Sequence, residues 1–474
     1  MQTECKADRF EFQTLGTRRV VADFEGGHIT SDAGVVLLRA YNERHDIVRR
    51  FTQCFTDYRD PDSIEFPLEQ LLTQRVFAIV QGYEDVNDHD TLRVDPVFAV
   101  SVGQADVTGE RRTRQRDRGK PLAGKSTLNR LEVSAERGGE TKRYHKIKPD
   151  FAKIDAFLVD LFLESYSAPP AEIVLDFDTT DATLYGDQEG RFFHGYYDDY
   201  CYTPLYVYCG DRLVAVELLS AETSAVVPAY FVLKQIIPRI RARFPQTRIV
   251  VRGDSGFGDG LLMSWCEGAG VDYVFGLSGN SRLEARIGAE LKQARERFVE
   301  TGEAARVFTE FLYKPVKTWE CERRVIAKAE HLPDGPNPRY VVTSLSVQRY
   351  TPRALYEDFY CQRGNMENRI KEQQLDLFAD RCSTHWMSSN TLRVYLYALA
   401  YVLVSGIRRE ALAHTRLEKA SCGRIRLNLL KIGALVRATV RHVWIHMSSA
   451  CPYQDVFRQA HAVLTAPVPQ PLSG

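Results

Sequence analysis

Two short apolar runs in this chain each end in an acid, and a third acid follows on a helical stretch. Ile173-Val174-Leu175-Asp176-Phe177-Asp178-Thr179-Thr180 is rich in β-branched residues and stops abruptly in acidic and hydroxyl side chains. That is the pattern of a buried strand delivering a carboxylate to a sheet edge. Arg248-Ile249-Val250-Val251-Arg252-Gly253-Asp254-Ser255-Gly256-Phe257-Gly258 repeats it, with glycines that permit a tight turn. Tyr360, Arg363 and Glu367 lie on a segment that reads as helical, where their spacing puts them on one face. Asp178, Asp254 and Glu367 make an all-oxygen set of the kind hard divalent cations prefer, and a pair of such ions can activate a nucleophile and stabilise a leaving oxygen in phosphodiester chemistry. Each piece alone also has a plainer reading. A strand-end Asp serves equally as a helix cap or turn former, and Arg363 with Glu367 makes an intrahelical pair worth a few tenths of a kcal/mol. Asp176 rivals Asp178, because residues two apart on a strand share a face, and is otherwise a candidate support behind it.

The elements that must position these acids are an α/β arrangement. After the Asp178 strand, Tyr202 to Cys209 and Arg212 to Leu219 read as two more strands separated by the turn Gly210-Asp211. A helix carrying Tyr230, Leu233, Ile236, Ile237 and Ile240 crosses to the Asp254 strand, and another leads to the strand Val271 to Phe275. A mixed five-stranded sheet flanked by helices follows, with residues 151–280 and 346–410 as its core. Ala305 to Tyr313, Cys321 to Ala329 and Tyr340 to Ser344 read as strands of a β-rich insertion over 281–345, with a turn at Pro333-Asp334-Gly335-Pro336. Residues 1–150 read as mainly helical after a strand-like stretch from Phe10 to Asp23; Thr30-Ser31-Asp32 opens a helix through Val35, Leu38 and Tyr41. Residues 411–474 form a tail with a basic amphipathic stretch from Arg424 to Arg441, a strand-like end from His442 to His446, and unstructured residues from Pro467.

A chain of 474 residues suggests two or three domains, and its formal charge of zero provides no global field toward nucleic acid. Any DNA contact must come from local patches. Arg111, Arg112, Arg114, Arg116, Arg118 and Lys120 form such a patch within a basic segment over 109–148; they fit either a solvated loop or contacts to a phosphate backbone, where counterion release gives sequence-independent affinity. Gly119-Lys120-Pro121-Leu122-Ala123-Gly124-Lys125-Ser126 matches the phosphate-loop pattern letter for letter. That motif needs a preceding apolar strand, and an arginine run stands there instead, so no nucleotide is expected and Ser126 reads as the cap of a helix through Leu128 and Leu131. Ten scattered cysteines without C-x-x-C spacing and a start without a leader pattern point to the cytoplasm. The apolar stretch around Val394 to Ile407 is shorter than the roughly 18 to 20 residues of a bilayer crossing, so it reads as a core helix and no membrane is expected.

The order Asp, Asp, then Tyr-x-x-Arg-x-x-x-Glu resembles the DDE transposases of bacterial insertion sequences. Leu175 to Thr180, Gln188-Glu189-Gly190, Arg252 to Phe257 and Glu367-Asn368-Arg369-Ile370-Lys371-Glu372 look most like the insertion-sequence 1380 family. Thr30 to Gly34 and Ser126 to Glu132 extend the resemblance over nearly the whole chain. It implies a ribonuclease H-like core in which Asp178, Asp254 and Glu367 hold two magnesium or manganese ions. It also implies Tyr360, Arg363 and Lys371 on DNA phosphates, double-stranded terminal repeats and target DNA as partners, and a homodimer in the synaptic complex. Glu189 and Arg191 are DNA-end contacts on the resemblance alone. One departure is visible: the related motif has a Lys where Gln374 stands, and Lys371 is the nearest substitute. A nuclease that cuts without joining, a DNA-binding protein without catalysis, and a glycosidase using Asp176 and Asp178 are the alternatives. The last is weakest, because neighbouring strand positions do not flank a substrate bond.

Overall fold

The computed structural model describes residues 9–316 and 318–467; the expectation for the extreme C-terminus falls, from 468 onward, outside the described residues. The chain divides into two compact units, one of residues 1–134, 138–147 and 403–474, the other of 135–137 and 148–402.

The second unit is built on a nine-stranded mixed sheet. From one edge the strands run Arg212–Glu217, Leu205–Cys209, Glu172–Thr179, Arg248–Gly253 and Asp272–Leu277, then Arg339–Thr343, Arg323–Leu332 and Ala305–Tyr313, and the ninth, Gly335–Pro336, pairs with the end of Arg323–Leu332 off this path. Glu172–Thr179 pairs antiparallel with Leu205–Cys209 and parallel with Arg248–Gly253, which pairs parallel with Asp272–Leu277. Side chains alternate across a strand, so Ile173, Leu175 and Phe177 enter the main core with Ile249, Val251, Tyr273 and Phe275. The helices Phe151–Glu164, Val226–Arg243 and Gly260–Gly268 supply that core's other wall. On the opposite face Val174, Val250, Val274, Ile326 and Val341 pack with Leu355, Tyr356 and Phe359. Both faces are covered, which is why these strands read as nearly continuous apolar runs. The face carrying Asp176 and Asp178 is therefore the one covered by the Glu367-bearing helical segment.

The sheet expected to close at five strands does not stop there. Arg339–Thr343 bonds to the outer edge of Asp272–Leu277, with Val274 opposite Thr343 and Phe275 opposite Val342, so the strands between Asp254 and Glu367 prolong the same sheet. Their apolar residues Val325, Ala327 and Val342 join the main core, which is the physical reason for the continuation.

The first unit opens with a hairpin, Phe10–Leu15 and Arg18–Ala22, where one strand-like stretch was expected; Gly16 at φ 61° makes the turn. Its helices include Val35–His45, Leu68–Gln81 and Lys125–Glu132, and Arg75 bonds Glu132 at 2.6 Å with both side chains buried. The helix Lys125–Glu132 starts after Gly124, so Ser126 lies inside it and does not cap it. The expected basic amphipathic stretch from Arg424 is broken: a short helical piece, Cys422–Leu430, gives way to the strand Ala434–Ala438, paired with Val443–Met447 and His28–Thr30. Gly433 precedes the strand, and the helix Gln454–Thr465 ends the described chain.

The long apolar helix spans Met387–Glu410, 24 residues, which corrects the expectation that it is too short to cross a bilayer. Its most apolar window is 89% buried, the condition of a core helix.

Where Phe151–Glu164 packs on Arg212–Glu217, burial pushes Glu217 up to about 7, helped by Asp155; burial also pushes Asp155 up to about 6, against a 2.6 Å hydrogen bond from the Tyr395 hydroxyl. A carboxyl raised on folding contributes stability that is full below its ordinary range and is lost as pH rises through its folded value. The unfolding free energy from denaturant titration is therefore expected to fall by about 1–3 kcal/mol between pH 5 and 8, and Glu217→Gln should remove much of that slope.

Candidate active site

Asp178 lies near the end of its strand, 9% exposed, with Oδ1 accepting the Thr179 amide at 3.0 Å. Asp254 follows the neighbouring parallel strand and caps a single 3₁₀ turn, its Oδ1 accepting the Gly256 amide at 2.9 Å. The parallel register sets Arg252 opposite Asp176 and Gly253 opposite Phe177, which brings the two acid-bearing strand ends side by side. Glu367 comes from a helical segment that changes its winding three times. Leu355–Phe359 is π-helical, Tyr360–Arg363 is 3₁₀, Gly364–Lys371 is α-helical, and Glu372–Asp376 is π-helical again. Such irregular windings frequently occur at functional sites.

Arg363 joins the acids. Its Nη1 donates to Asp178 Oδ2 at 2.8 Å and its Nη2 to Glu367 Oε1 at 3.3 Å. The intrahelical pair is thus present and is one arm of a larger cluster. Burial pushes Asp178 up to about 6; Arg363 opposes the rise, while the charges of Asp254 and Glu367 add to it. The Arg363 guanidinium loses hydration on burial, but Asp178, Tyr360, Asp254 and Glu367 together hold its pKa above the ordinary arginine value. One cation therefore sits among three carboxylates that repel one another. Among the described residues no group of three His, Cys, Asp or Glu side chains converges closely enough to hold a metal ion. Arg363 supplies the counter-charge within the cluster.

Tyr360 borders this cluster, its hydroxyl pushed up first by burial, with Arg363 lowering it and Asp254 raising it. It approaches the bare backbone of Gly276: a Cβ there would lie 2.7 Å from the Tyr360 hydroxyl and 2.7 Å from the Ser255 amide. Gly276 is not among the residues the sequence singles out, and its one signal there is a glycine interrupting the otherwise continuous apolar strand Asp272–Leu277.

Asp176 is engaged elsewhere. Its Oδ2 accepts Arg252 Nη2 at 2.8 Å, both side chains are buried, and Arg252 Nη1 donates to the Phe359 carbonyl. Asp176 thereby holds the arginine that ties the strand to the π-helical turn just before Tyr360. Gln374, standing where the related motif has a Lys, donates to Thr180 Oγ1 at 3.1 Å and to the Asp181 carbonyl at 2.8 Å, pinning the turn after Asp178. Lys371 is exposed and makes no ion pair among the described residues.

Glu189 accepts the Met387 amide at 3.1 Å and so caps the start of the long helix, while Arg191 donates to the Gly186 carbonyl at 2.6 Å and lies over the Tyr200 ring. In the first unit, Arg112, Arg114, Arg116 and Lys120 line a concavity; Arg111 and Arg118 lie outside it.

No curated protein matches the chain. Among solved structures it is similar to the piggyBac transposase in a synaptic complex with hairpin DNA, determined by cryo-EM. That match has 12% identity, covers 90% of this chain and 89% of that one, and has a TM-score of 0.37. A family model described as the transposase DDE domain, group 1, matches residues 12–468, and the chain accordingly belongs to that family of transposases.

Proposed function

We propose that the protein is the DNA transposase of a bacterial insertion sequence, of the 1380 type. In this reading it binds the element's terminal inverted repeats, cleaves their ends and joins the freed 3′-hydroxyl to target DNA, working as a dimer in the cytoplasm. The observation that carries this reading is the cluster of Asp178, Asp254 and Glu367 around Arg363. The order of the first five strands, three antiparallel and two joined in parallel, supports a ribonuclease H-like core.

By its chemistry the donor set suits two hard divalent ions, magnesium or manganese, because it is all oxygen and because the charges of Asp254 and Glu367 add to the rise of Asp178 and call for a cation, although the three acids are not drawn together around an ion in this conformation. Asp178, Asp254 and Glu367 would hold the metal, which when bound activates the attacking oxygen and stabilises the leaving one. The chain's own residues do the rest. Arg363 presents a planar fork matched to a phosphate, the Tyr360 hydroxyl adds a third donor, and exposed Lys371 is free to meet a backbone phosphate. For a phosphate to take the fork, Arg363 must leave Asp178, and that same movement opens the acids to a cation.

Two experiments test this. The first is cleavage and joining of labelled DNA carrying the element's terminal repeats, with magnesium, manganese or chelator. Metal-dependent nicks and joined products are expected. Nicks without joined products would make the protein a nuclease, and binding without cutting would make it a DNA-binding protein only. The second measures divalent-ion affinity without DNA, by manganese spectroscopy, in Arg363→Ala. Removing the competing cation should tighten binding by about tenfold, the equivalent of ~1.4 kcal/mol.

A further inference from the structure

Four residues of the basic run of the first unit, Arg112, Arg114, Arg116 and Lys120, face a common concavity. They form part of the wall of a cavity of about 500 Å³, lined by seven cationic and three acidic side chains. Each acid is already taken: Glu65 by Arg112 at 2.9 Å, Asp90 by Lys125 at 3.3 Å, and Asp117 by Arg93 at 3.4 Å and by Arg116 at 3.7 Å. Arg93 and Arg116 share the single charge of Asp117, and with Arg114, Lys120 and Arg130 the lining carries four positive charges in excess. Lys120 Nζ donates to the Arg116 carbonyl, and Arg130 rests over the Tyr144 ring, contacts that leave both charges unneutralised. Four surplus cations around one concavity repel one another and set up a strong positive potential inside it.

Two further features point to an anion. The Arg112 side chain is 9% exposed, and its Nε, like that of Arg93, is buried without a hydrogen-bond partner. A buried guanidinium N–H left without a partner is costly, and both arginines belong to the lining of the cavity. The eight-residue helix Lys125–Glu132 begins at the same wall. Its N-cap is Gly124, which offers no side-chain acceptor, and Gly124, Lys125, Ser126 and Thr127 all line the cavity. Its dipole adds to the positive field there. The stretch that spells a phosphate loop ends at this helix but is built differently. A 3₁₀ turn at Gln115–Asp117 precedes it instead of a strand, and the chain is held by bonds from the Gly119 amide to the Gly109 carbonyl and from the Leu122 amide to the Arg93 carbonyl.

We propose that this cavity is a phosphate-binding site that takes two or more phosphate groups of one chain at once. The surplus of positive charge calls for more than a single phosphate, and the mixture of guanidinium forks with lysines suits successive tetrahedral groups. The phosphates come either from a nucleic-acid strand, which would deepen the transposase reading, or from a free polyphosphate such as a nucleoside triphosphate, which would not depend on it.

The test uses the full chain and tripolyphosphate as probe, by titration calorimetry at low salt. The wild type is expected to bind it. Arg114→Glu with Arg130→Glu, both exposed, should weaken binding by at least about tenfold at an unchanged melting midpoint. Arg282→Glu with Arg295→Glu, exposed arginines of the other unit, changes the net charge equally and should leave affinity within about twofold. A DNA duplex of arbitrary sequence is then added as competitor: displacement of the probe assigns the site to nucleic-acid phosphates, and no displacement assigns it to a free polyphosphate. Absence of tripolyphosphate binding, or equal losses in the two variants, overturns the proposal. Because cleavage is not measured, failure of the catalytic reading leaves this result untouched.

Discussion

Glu367→Gln, Asp178→Asn and Asp254→Asn are each expected to reduce cleavage of repeat-bearing DNA by about 10³-fold or more, with affinity for the uncut ends retained. Each change keeps shape and hydrogen-bonding capacity while removing one negative charge from a site that works by gathering positive charge, and a single electrostatic partner at such a site is worth roughly 10² to 10³ in rate. Asp178→Asn should separate function from stability most cleanly. Burial raises the Asp178 carboxyl to about 6, so above that pH the charge opposes folding, and an amide can still accept from Arg363. Its melting midpoint at pH 8 should equal or exceed that of the wild type while its cleavage is lost. Cleavage surviving in any of the three would remove that acid from the catalytic set.

The second large effect is structural. Arg252→Met strips the partner from Asp176, a carboxylate 4% exposed that burial already pushes upward and Arg252 holds down. Breaking a buried pair on one side is expected to lower stability by about 3–5 kcal/mol. Arg252→Met with Asp176→Leu, which removes both charges, should recover most of it in a double-mutant cycle. The recovered protein should still cleave poorly, because the bond from Arg252 to the Phe359 carbonyl that positions the turn before Tyr360 is gone. Full cleavage there would show that the helix finds its place without that tie.

The strands bearing Asp178 and Asp254 were legible because an apolar run that stops in an acid leaves little choice of element. The helix bearing Glu367 was legible as helix, but its changes of winding were not: a period of 3.6 does not register an added residue per turn, and the π-helical turns fall at Leu355–Phe359 and Glu372–Asp376, either side of the motif. The pair of Arg363 with Glu367 follows from spacing; its second arm to Asp178 is a long-range contact that no local pattern carries. The structural task of Asp176 was hidden for the same reason, since its partner Arg252 lies on another strand. In the first unit, the Phe10 to Asp23 alternation concealed a turn because Gly16-Thr17 is short, and the basic run gave no sign of the acids and helix end that fold it into a cavity.

The strand Arg339–Thr343 seals the edge of Asp272–Leu277, and Arg323–Leu332 seals the next. A shortened chain made by cutting out residues 281–345 would not be a minimal catalytic core. It would leave a long row of unpaired amides and carbonyls on an apolar strand, a template for the same edge of another molecule. Such a deletion should come out of cells as insoluble aggregate, so the stretch between the second and third acids acts as the protein's own guard against polymerisation.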